Sequence, residues 1–252
     1  MGVVRLAEQG ALRREVAVKT LRDDFLEQDF IDRLLREARI TGLVEHPNIV
    51  PIYALQADER GAPLMVMKRI EGVAWRALLR NPDHPSQIVD RDDALGWHLR
   101  TFLGVCNAVA YAHSRGILHL DLKPDNVILA IEGHRTRPTV LDFGVSRLIT
   151  SDPRLTLDSS VVGTPHYMSP EQARGEAIDS KTDQYAVGVM LYQAVTSRLP
   201  RDRASVLELL NEVGHKGFEP PSEHRPSIPR DFEELILKSM APSRRDRFVT
   251  MY

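Results

Sequence analysis

Apolar and polar positions change their period several times along the 252-residue chain, and each change marks an element. Two strand-like runs open the sequence, Val3 to Ala7 and Glu15 to Leu21, with the turn-like Glu8-Gln9-Gly10 between them, which predicts a β-hairpin. A helix fits Asp24 to Leu43: Phe30, Leu34 and Ala38 recur at i, i+4 and i+8, with Ile31 and Leu35 alongside. Glu37 points from that apolar face, and because a buried carboxylate without a partner is expensive, a cation is expected opposite it. His46-Pro47-Asn48 breaks the helix, and strands are expected at Ile49 to Leu55 and Pro63 to Ile70. The stretch from Asn81 to Asp92, with its prolines and charges, reads as a surface loop. From Ala94 the pattern turns helical again, with Phe102, Cys106, Val109, Ala110 and His113 on one face and Gly116 as the C-terminal cap. Short apolar segments follow at Ile117-Leu118, Val127 to Ile131 and Thr139 to Leu141. Further helices are expected at Lys181 to Thr196, Ala204 to Val213 and Asp231 to Met240, with a proline-marked loop (Pro220, Pro221, Pro226, Pro229) between the last two. The pattern is α+β: a small β-rich part with one helix, then a larger helical part, with a boundary near Glu71-Gly72.

Composition narrows the function classes. The length suits one large domain or two lobes around a cleft. Lys and Arg total 33 against 35 Asp and Glu, a net charge of −2, so no basic field argues for a nucleic-acid partner or an anionic membrane surface. Cys106 is the single cysteine; an intramolecular disulfide and a cysteine-built zinc site are excluded, and a reducing, cytoplasmic setting is expected. No apolar run reaches the roughly 20 residues of a membrane helix. The opening Met-Gly lacks a Ser or Thr at position 6, where Leu6 stands, and no signal peptide follows, so the chain reads as soluble and unanchored.

The chemistry concentrates in His119-Leu120-Asp121-Leu122-Lys123-Pro124-Asp125-Asn126 and, downstream, Asp142-Phe143-Gly144. A carboxylate to accept a hydroxyl proton, a Lys to offset phosphoryl charge, and an Asn and a second Asp as hard oxygen ligands are the parts that Mg·ATP phosphoryl transfer requires. A polar turn beside an unrelated Asp-Phe-Gly turn is the competing account, and the two segments together in this order argue against it. Lys19 closes the apolar run Val16-Ala17-Val18; alone it would read as an edge-strand lysine in solvent, but an inward Glu37 and an inward Lys19 predict each other. Asp183, at the start of an almost wholly apolar helix, is by residue type equally suited to capping that helix or to another task.

Taken together, Val16-Ala17-Val18-Lys19, Glu37, His46-Pro47-Asn48-Ile49-Val50, the segment His119 to Asn126, Asp142-Phe143-Gly144, Ser169-Pro170-Glu171, Asp183 and Arg247 resemble a eukaryotic-type serine/threonine protein kinase domain of the bacterial kind. The resemblance covers essentially the whole chain. It implies a bilobal α+β fold, with a small lobe over 1–70 and a large lobe over 71–252, and ATP and Mg²⁺ as cofactors. It implies that Asp121 is the catalytic base, that Lys123 supports the γ-phosphoryl group, that Asn126 and Asp142 bind Mg²⁺, and that Lys19 and Glu37 form the ion pair of the active arrangement. Met67 would be the gatekeeper, and the backbone of Lys68 to Ile70 the hinge that meets adenine. Val4, Ala17 and Ile128 would sandwich the base, Glu71 would meet the ribose and Gly2 the phosphates. Asp183 would brace the catalytic loop, and Glu171 would pair with Arg247. Protein substrates with Ser or Thr are implied by Asp-Leu-Lys-Pro-Asp-Asn and by Gly163-Thr164-Pro165. Many relatives dimerise through the small lobe, which makes a homodimer one expected assembly.

The sequence departs from the family at several places. The phosphate-covering Gly-x-Gly-x-x-Gly-x-Val is represented by Gly2 and Val4 alone, which reads as a start clipped at an internal Met or, alternatively, as loss of half the lid; the final helix also looks short. Leu120 stands where most kinases have Arg, so the activation segment has no arginine before Asp121 to engage when phosphorylated, and activity is expected to depend weakly on phosphorylation at Thr156, Ser159 or Ser160. Thr41, one turn after Glu37, is smaller and more polar than the usual leucine and is expected to loosen its helix toward an inactive position. Two readings compete with an active protein kinase: a weak or inactive kinase-fold module that binds nucleotide or partners, and a small-molecule phosphotransferase, against which the Gly163 to Glu171 segment argues.

Overall fold

The computed structural model describes residues 2–22, 25, 27–81, 84, 93–133, 135–143, 147–148, 165–201 and 218–251. The opening alternation forms a hairpin, β1 (Gly2–Gln9) and β2 (Arg14–Leu21), paired from Gly2 opposite Leu21 to Gln9 opposite Arg14. Its turn lies later than the expected Glu8-Gln9-Gly10, because β1 continues to Gln9 and Arg13 takes the positive φ of 48° that closes the loop. Helix α1 (Gln28–Gly42) follows; Asp24, its expected start, lies outside the described residues. Strands β3 (Ile52–Ala57) and β4 (Pro63–Lys68) complete a four-stranded antiparallel sheet in the order β1-β2-β4-β3. Leu34 and Ala38 of α1 pack on Met65 of β4, so the apolar stripe read from the sequence is the one that docks the helix on the sheet.

The remaining chain is mainly helical. Strand β5 (Gly72–Ala74), helix α2 (Trp75–Arg80) and helix α3 (Ala94–Ser114) lead to β6 (Ile117–Leu118), β7 (Val127–Glu132), β8 (Arg135–Val140) and β9 (Arg147–Leu148). Strands β5, β7 and β8 form one sheet, and β6 pairs with β9. Helices α4 (Pro170–Ala173), α5 (Ser180–Thr196), α6 (Pro221–His224) and α7 (Arg230–Ser239) follow. Gly116 sits just past α3 at φ +73°, the left-handed cap its residue type favours. The α3 face agrees with the expected one in part: Val109 and Ala110 are buried as expected, but Phe102, Cys106 and His113 are only partly so, and Trp97, Thr101, Val105, Ala108 and Ala112 are buried beside them. The helix is wedged between α5 and β8, and a helix covered on two sides hides its orientation from a periodicity argument. The proline-marked stretch after 218 is not all loop, since Pro221 opens α6 at a position where its missing N–H costs nothing. The loop expected at 81–92 falls largely, and the helix at 204–213 wholly, outside the described residues.

Helix α5 is buried round almost its whole circumference and forms the centre of the large core with Trp75, Phe143, Tyr185, Tyr192 and Met190. A Cβ on Gly188 would stand 2.9 Å from Met240 Cγ and from Ser239 Cβ, so α5 and the end of α7 approach to the limit that a glycine allows. The segment His46 to Val50 ties the small sheet to this body: Val50 N donates to Val140 O (3.0 Å), Val140 N to Asn48 O (2.7 Å) and Asn48 Nδ2 to Pro138 O (2.7 Å). Among the described residues no helix is long and apolar enough to cross a membrane.

Candidate active site

Cross-strand pairing puts Val4 opposite Lys19 on β1 and β2, and Ala17 opposite Met67 and Lys19 opposite Met65 on β2 and β4, so these side chains share one sheet face. That face looks toward α1. Lys19 Nζ donates to Glu37 Oε1 at 2.6 Å and to Asp142 Oδ1 at 3.2 Å, joining strand, helix and the segment after β8. The cation expected opposite Glu37 is therefore Lys19. Thr41, one turn on, is buried and its Oγ1 donates to Glu37 O at 2.8 Å. Burial is the largest influence on Glu37 and raises its pKa; the carboxylate of Asp142 adds to it, Lys19 opposes, and the net is a rise to about 7. Burial lowers the Lys19 pKa, but Asp142 and Glu37 together outweigh it, so the ammonium ends above its ordinary value.

The second half of the site is the loop His119 to Asn126. Asp183 does not cap its own helix; Asp179 does that, accepting from Lys181 N. Instead Asp183, fully buried, accepts from His119 N (2.8 Å) and Leu120 N (2.7 Å) and meets His113 Nε2 at 2.8 Å, which keeps its carboxyl below the usual range although burial alone would raise it. The His119 ring donates from Nε2 to Leu141 O (3.1 Å), which leaves Nδ1 to accept from Asp121 N (3.3 Å), and the ring lies 4.6 Å from that of Phe143. Lys123 Nζ donates to Asp121 Oδ2 at 2.7 Å, and Asn126 Nδ2 donates to Asp121 O (2.8 Å) and Oδ2 (3.3 Å). Leu120 and Asp142 both hold positive φ, 67° and 61°, strained for residues with a Cβ.

Other predicted residues stand at the rim. Gly2 faces Lys19, since a Cβ there would lie 3.4 Å from Lys19 Cε. Val4 is exposed, and Met67, Ala17 and Ile70 are partly so. Glu71 is largely exposed and pairs at 3.3 Å with Arg69, which also binds Glu15. Ile128 lies on β7, opposite Ala74 and Thr139. The expected Glu171–Arg247 pair is present, bidentate at 2.8 and 2.9 Å and buried. Gly144, Gly163, Thr164, Thr156, Ser159 and Ser160 lie outside the described residues.

Two contacts escaped the sequence reading. Arg76 of α2 binds Asp125 through Nη1 at 2.8 and 2.7 Å, and nothing in the sequence pairs those positions. Gln172 donates from Nε2 to Leu120 O at 2.9 Å; its signal was Ser169-x-x-Gln172, a capping box that the structure forms.

The family profile described as "Protein kinase domain" matches residues 1–251. The chain belongs to the protein kinase family. This kinase-family chain is 36% identical over 255 residues to the serine/threonine-protein kinase PrkC of Bacillus subtilis (strain 168), covering 99% of this chain and 37% of that protein. It is 35% identical to the probable serine/threonine-protein kinase PknB of Bifidobacterium longum (99% and 36% covered) and 31% identical to the serine/threonine-protein kinase PknB of Mycobacterium leprae (99% and 39%). The chain thus spans less than two fifths of the length of these relatives.

Proposed function

We propose that this kinase-family chain is an active, ATP- and Mg²⁺-dependent enzyme that phosphorylates Ser and Thr hydroxyls of protein substrates in the cytoplasm, with residues 1–70 and 71–252 as the lobes that enclose the nucleotide. The observation that carries the reading is the junction at Lys19, where a strand lysine, the Glu37 carboxylate and Asp142 meet within hydrogen-bonding distance. The Ser/Thr class rests on the names of the relatives and on the wording of the segment Asp121 to Asn126.

Asp142 and Asn126 are hard oxygen donors of the kind Mg²⁺ takes. Asn126 Nδ2 is committed to Asp121, so Oδ1 is its ligand atom. Among the described residues no group of three or more His, Cys, Asp or Glu could hold a metal alone, which fits a metal shared with phosphate oxygens and water. When bound, Mg²⁺ neutralises charge on the β- and γ-phosphates. Lys19, fixed by Glu37, binds the α- and β-phosphates, with Gly2 beside it. Val4, Ala17 and Ile128 cover the adenine, Met67 is the gatekeeper, the backbone from Lys68 to Ile70 hydrogen-bonds the base, and Glu71 takes the ribose. Lys123 and Asn126 both contact Asp121 Oδ2, which leaves Oδ1 to receive the proton as the substrate oxygen bonds to the γ-phosphorus and the bond to ADP breaks. Lys123 then lies beside the transferring group. Leu120 offers no cation to a phosphorylated activation segment, so this is a non-RD arrangement.

The test is phosphate incorporation from Mg·ATP into the chain itself and into a generic basic protein, read by mass spectrometry, with Asp121→Asn alongside. Incorporation on Ser or Thr that falls about 10²- to 10⁴-fold in the variant is expected. No incorporation, or incorporation that Asp121→Asn leaves intact, overturns the reading.

A further inference from the structure

We infer that Gln172 is a positioning residue for phosphoryl transfer, fixing the catalytic loop by holding the carbonyl of the residue immediately before Asp121; the inference rests on the kinase reading above. Leu120 is buried in the left-handed region at φ +67°. For a residue with a Cβ that conformation is strained, so the surroundings must impose it. They do so from both ends of the residue. Asp183 Oδ1 accepts from Leu120 N at 2.7 Å, and Gln172 Nε2 donates to Leu120 O at 2.9 Å.

The orientation of the Gln172 amide is fixed by its neighbours. Oε1 accepts from Ser169 N at 3.1 Å, so the nitrogen must be the end that meets the Leu120 carbonyl. Gln172 is buried and Ser169 fully so. A Leu120 carbonyl that lost its donor would stand unpaired away from water, and a left-handed residue without that support can rotate Asp121 out of line. The chemical consequence is a direct link. In a chain with a basic side chain at 120, the catalytic loop and the activation segment meet through a phosphate. Here Leu120 reaches the end of that segment through its own carbonyl, and the connection is present without modification. Gln172 also lines, with Leu120, Asp121 and Tyr167, a small recess beside the proposed base.

Two substitutions separate this role from plain helix capping. Gln172→Glu keeps an oxygen to accept from Ser169 N and loses the donor to Leu120; Gln172→Met loses both. For the whole chain and both variants, kcat and KM for ATP and for a protein substrate are measured, with amide hydrogen exchange over residues 118–123 and thermal unfolding. A hydrogen bond of this kind supports an effect of about tenfold. Gln172→Glu is therefore expected to lower kcat about tenfold with KM for ATP nearly unchanged, and to speed exchange over 118–123 by a similar factor, while the capping box survives. Gln172→Glu with wild-type kcat and wild-type exchange overturns the inference. Should that variant fail to fold, the uncharged Gln172→Met decides, compared with Ser169→Ala, which loses only the side-chain cap: faster exchange at 118–123 in Gln172→Met than in Ser169→Ala supports the link, and equal exchange removes it. A wild-type chain that incorporates no phosphate overturns the kinase reading, whereas the exchange comparison needs no turnover and judges the link alone.

Discussion

At the scale of single residues, Lys19 is the charge on which the site balances. Two carboxylates share one ammonium, and the raised pKa values of both Glu37 and Lys19 follow from that arrangement: the pair of acids holds the proton on lysine, while burial and Asp142 make Glu37 reluctant to ionise. Lys19→Met strips Glu37 and Asp142 of the ammonium they share. The expected cost in urea unfolding is about 3 kcal/mol, the scale for stripping one partner from a largely buried pair. The Glu37 pKa, already raised to about 7 beside Lys19, is raised further without it, so the stability of Lys19→Met should fall as pH climbs from about 4.5 through that raised value. Adding Glu37→Gln removes the titrating carboxyl, and a double variant with the same pH dependence would show that Glu37 is not the stranded acid. Leu120 gives the second prediction at this scale. With no cation at that position, the triple substitution of Thr156, Ser159 and Ser160 by Ala is expected to leave kcat within about threefold of wild type, too small a change for a lost charge-assisted contact. Loss of activity in a variant that expresses and melts like wild type would sink that expectation.

Pairs of elements are decided by contacts that no single segment announces. Helix α2 meets α3 where the Trp75 indole stacks on His98, with ring centroids 6.3 Å apart, and donates from Nε1 to His98 Nδ1 at 3.3 Å. Nδ1 must therefore be unprotonated, and burial, reinforced by Arg225, pushes the His98 pKa down to about 4. A base depressed in the folded state adds stability that is full above its unfolded pKa, near 6.5, and fades as pH falls through the folded value. The gap corresponds to about 3 kcal/mol at most. His98→Gln can still accept from Trp75 but does not titrate, so the fall in unfolding free energy between pH 7 and pH 4 should be shallower in the variant; equal slopes would remove His98 from the account. The same contrast explains what the sequence disclosed. The stripe on α1 made Glu37 conspicuous because it broke an apolar pattern, and that single anomaly called for Lys19 across a gap in the chain. The loop His119 to Asn126 and Asp142-Phe143 stood out because their polar and charged residue types are compressed into short segments. Asp183 was half legible: residue type allowed a cap, and only the family resemblance pointed to the loop amides. The orientation of α3, the Arg76–Asp125 pair and the reach of Gln172 to Leu120 were not legible, since each depends on which face a neighbouring element presents. Tertiary packing sets that, and local period carries no record of it.

For the whole molecule, the Glu171–Arg247 pair closes the large body on itself. Arg247 donates to Glu171 from both terminal nitrogens, to Ala241 O from Nε (2.8 Å) and to Lys181 O from Nη1 (2.8 Å), while Thr182 Oγ1 donates to Glu171 Oε1 (3.0 Å). One guanidinium thus joins α4, the start of α5 and the segment after α7. Burial alone would raise the Glu171 pKa, but Arg247 outweighs it and holds the carboxyl below its usual value. An acid depressed in the folded state contributes stability that is present above its unfolded pKa and lost as pH falls through the folded one. Acid unfolding should therefore show two windows, the His98 fall between about pH 6.5 and 4 and a further fall below about pH 4.5 from Glu171. Arg247→Met leaves a buried carboxylate with only the Thr182 hydroxyl and no cation from Arg247, and is expected to cost about 3–5 kcal/mol at neutral pH. The companion Glu171→Gln/Arg247→Met removes the stranded charge and should recover much of that loss, while erasing only the lower acid window. Glu171 and Gln172 are adjacent on α4, so the tether and the link to Leu120 share one short helix. Arg247→Met is accordingly expected to lower kcat well below its melting temperature, with the double variant restoring both turnover and stability; recovery of stability without turnover would show that the tether and the catalytic loop are mechanically separate.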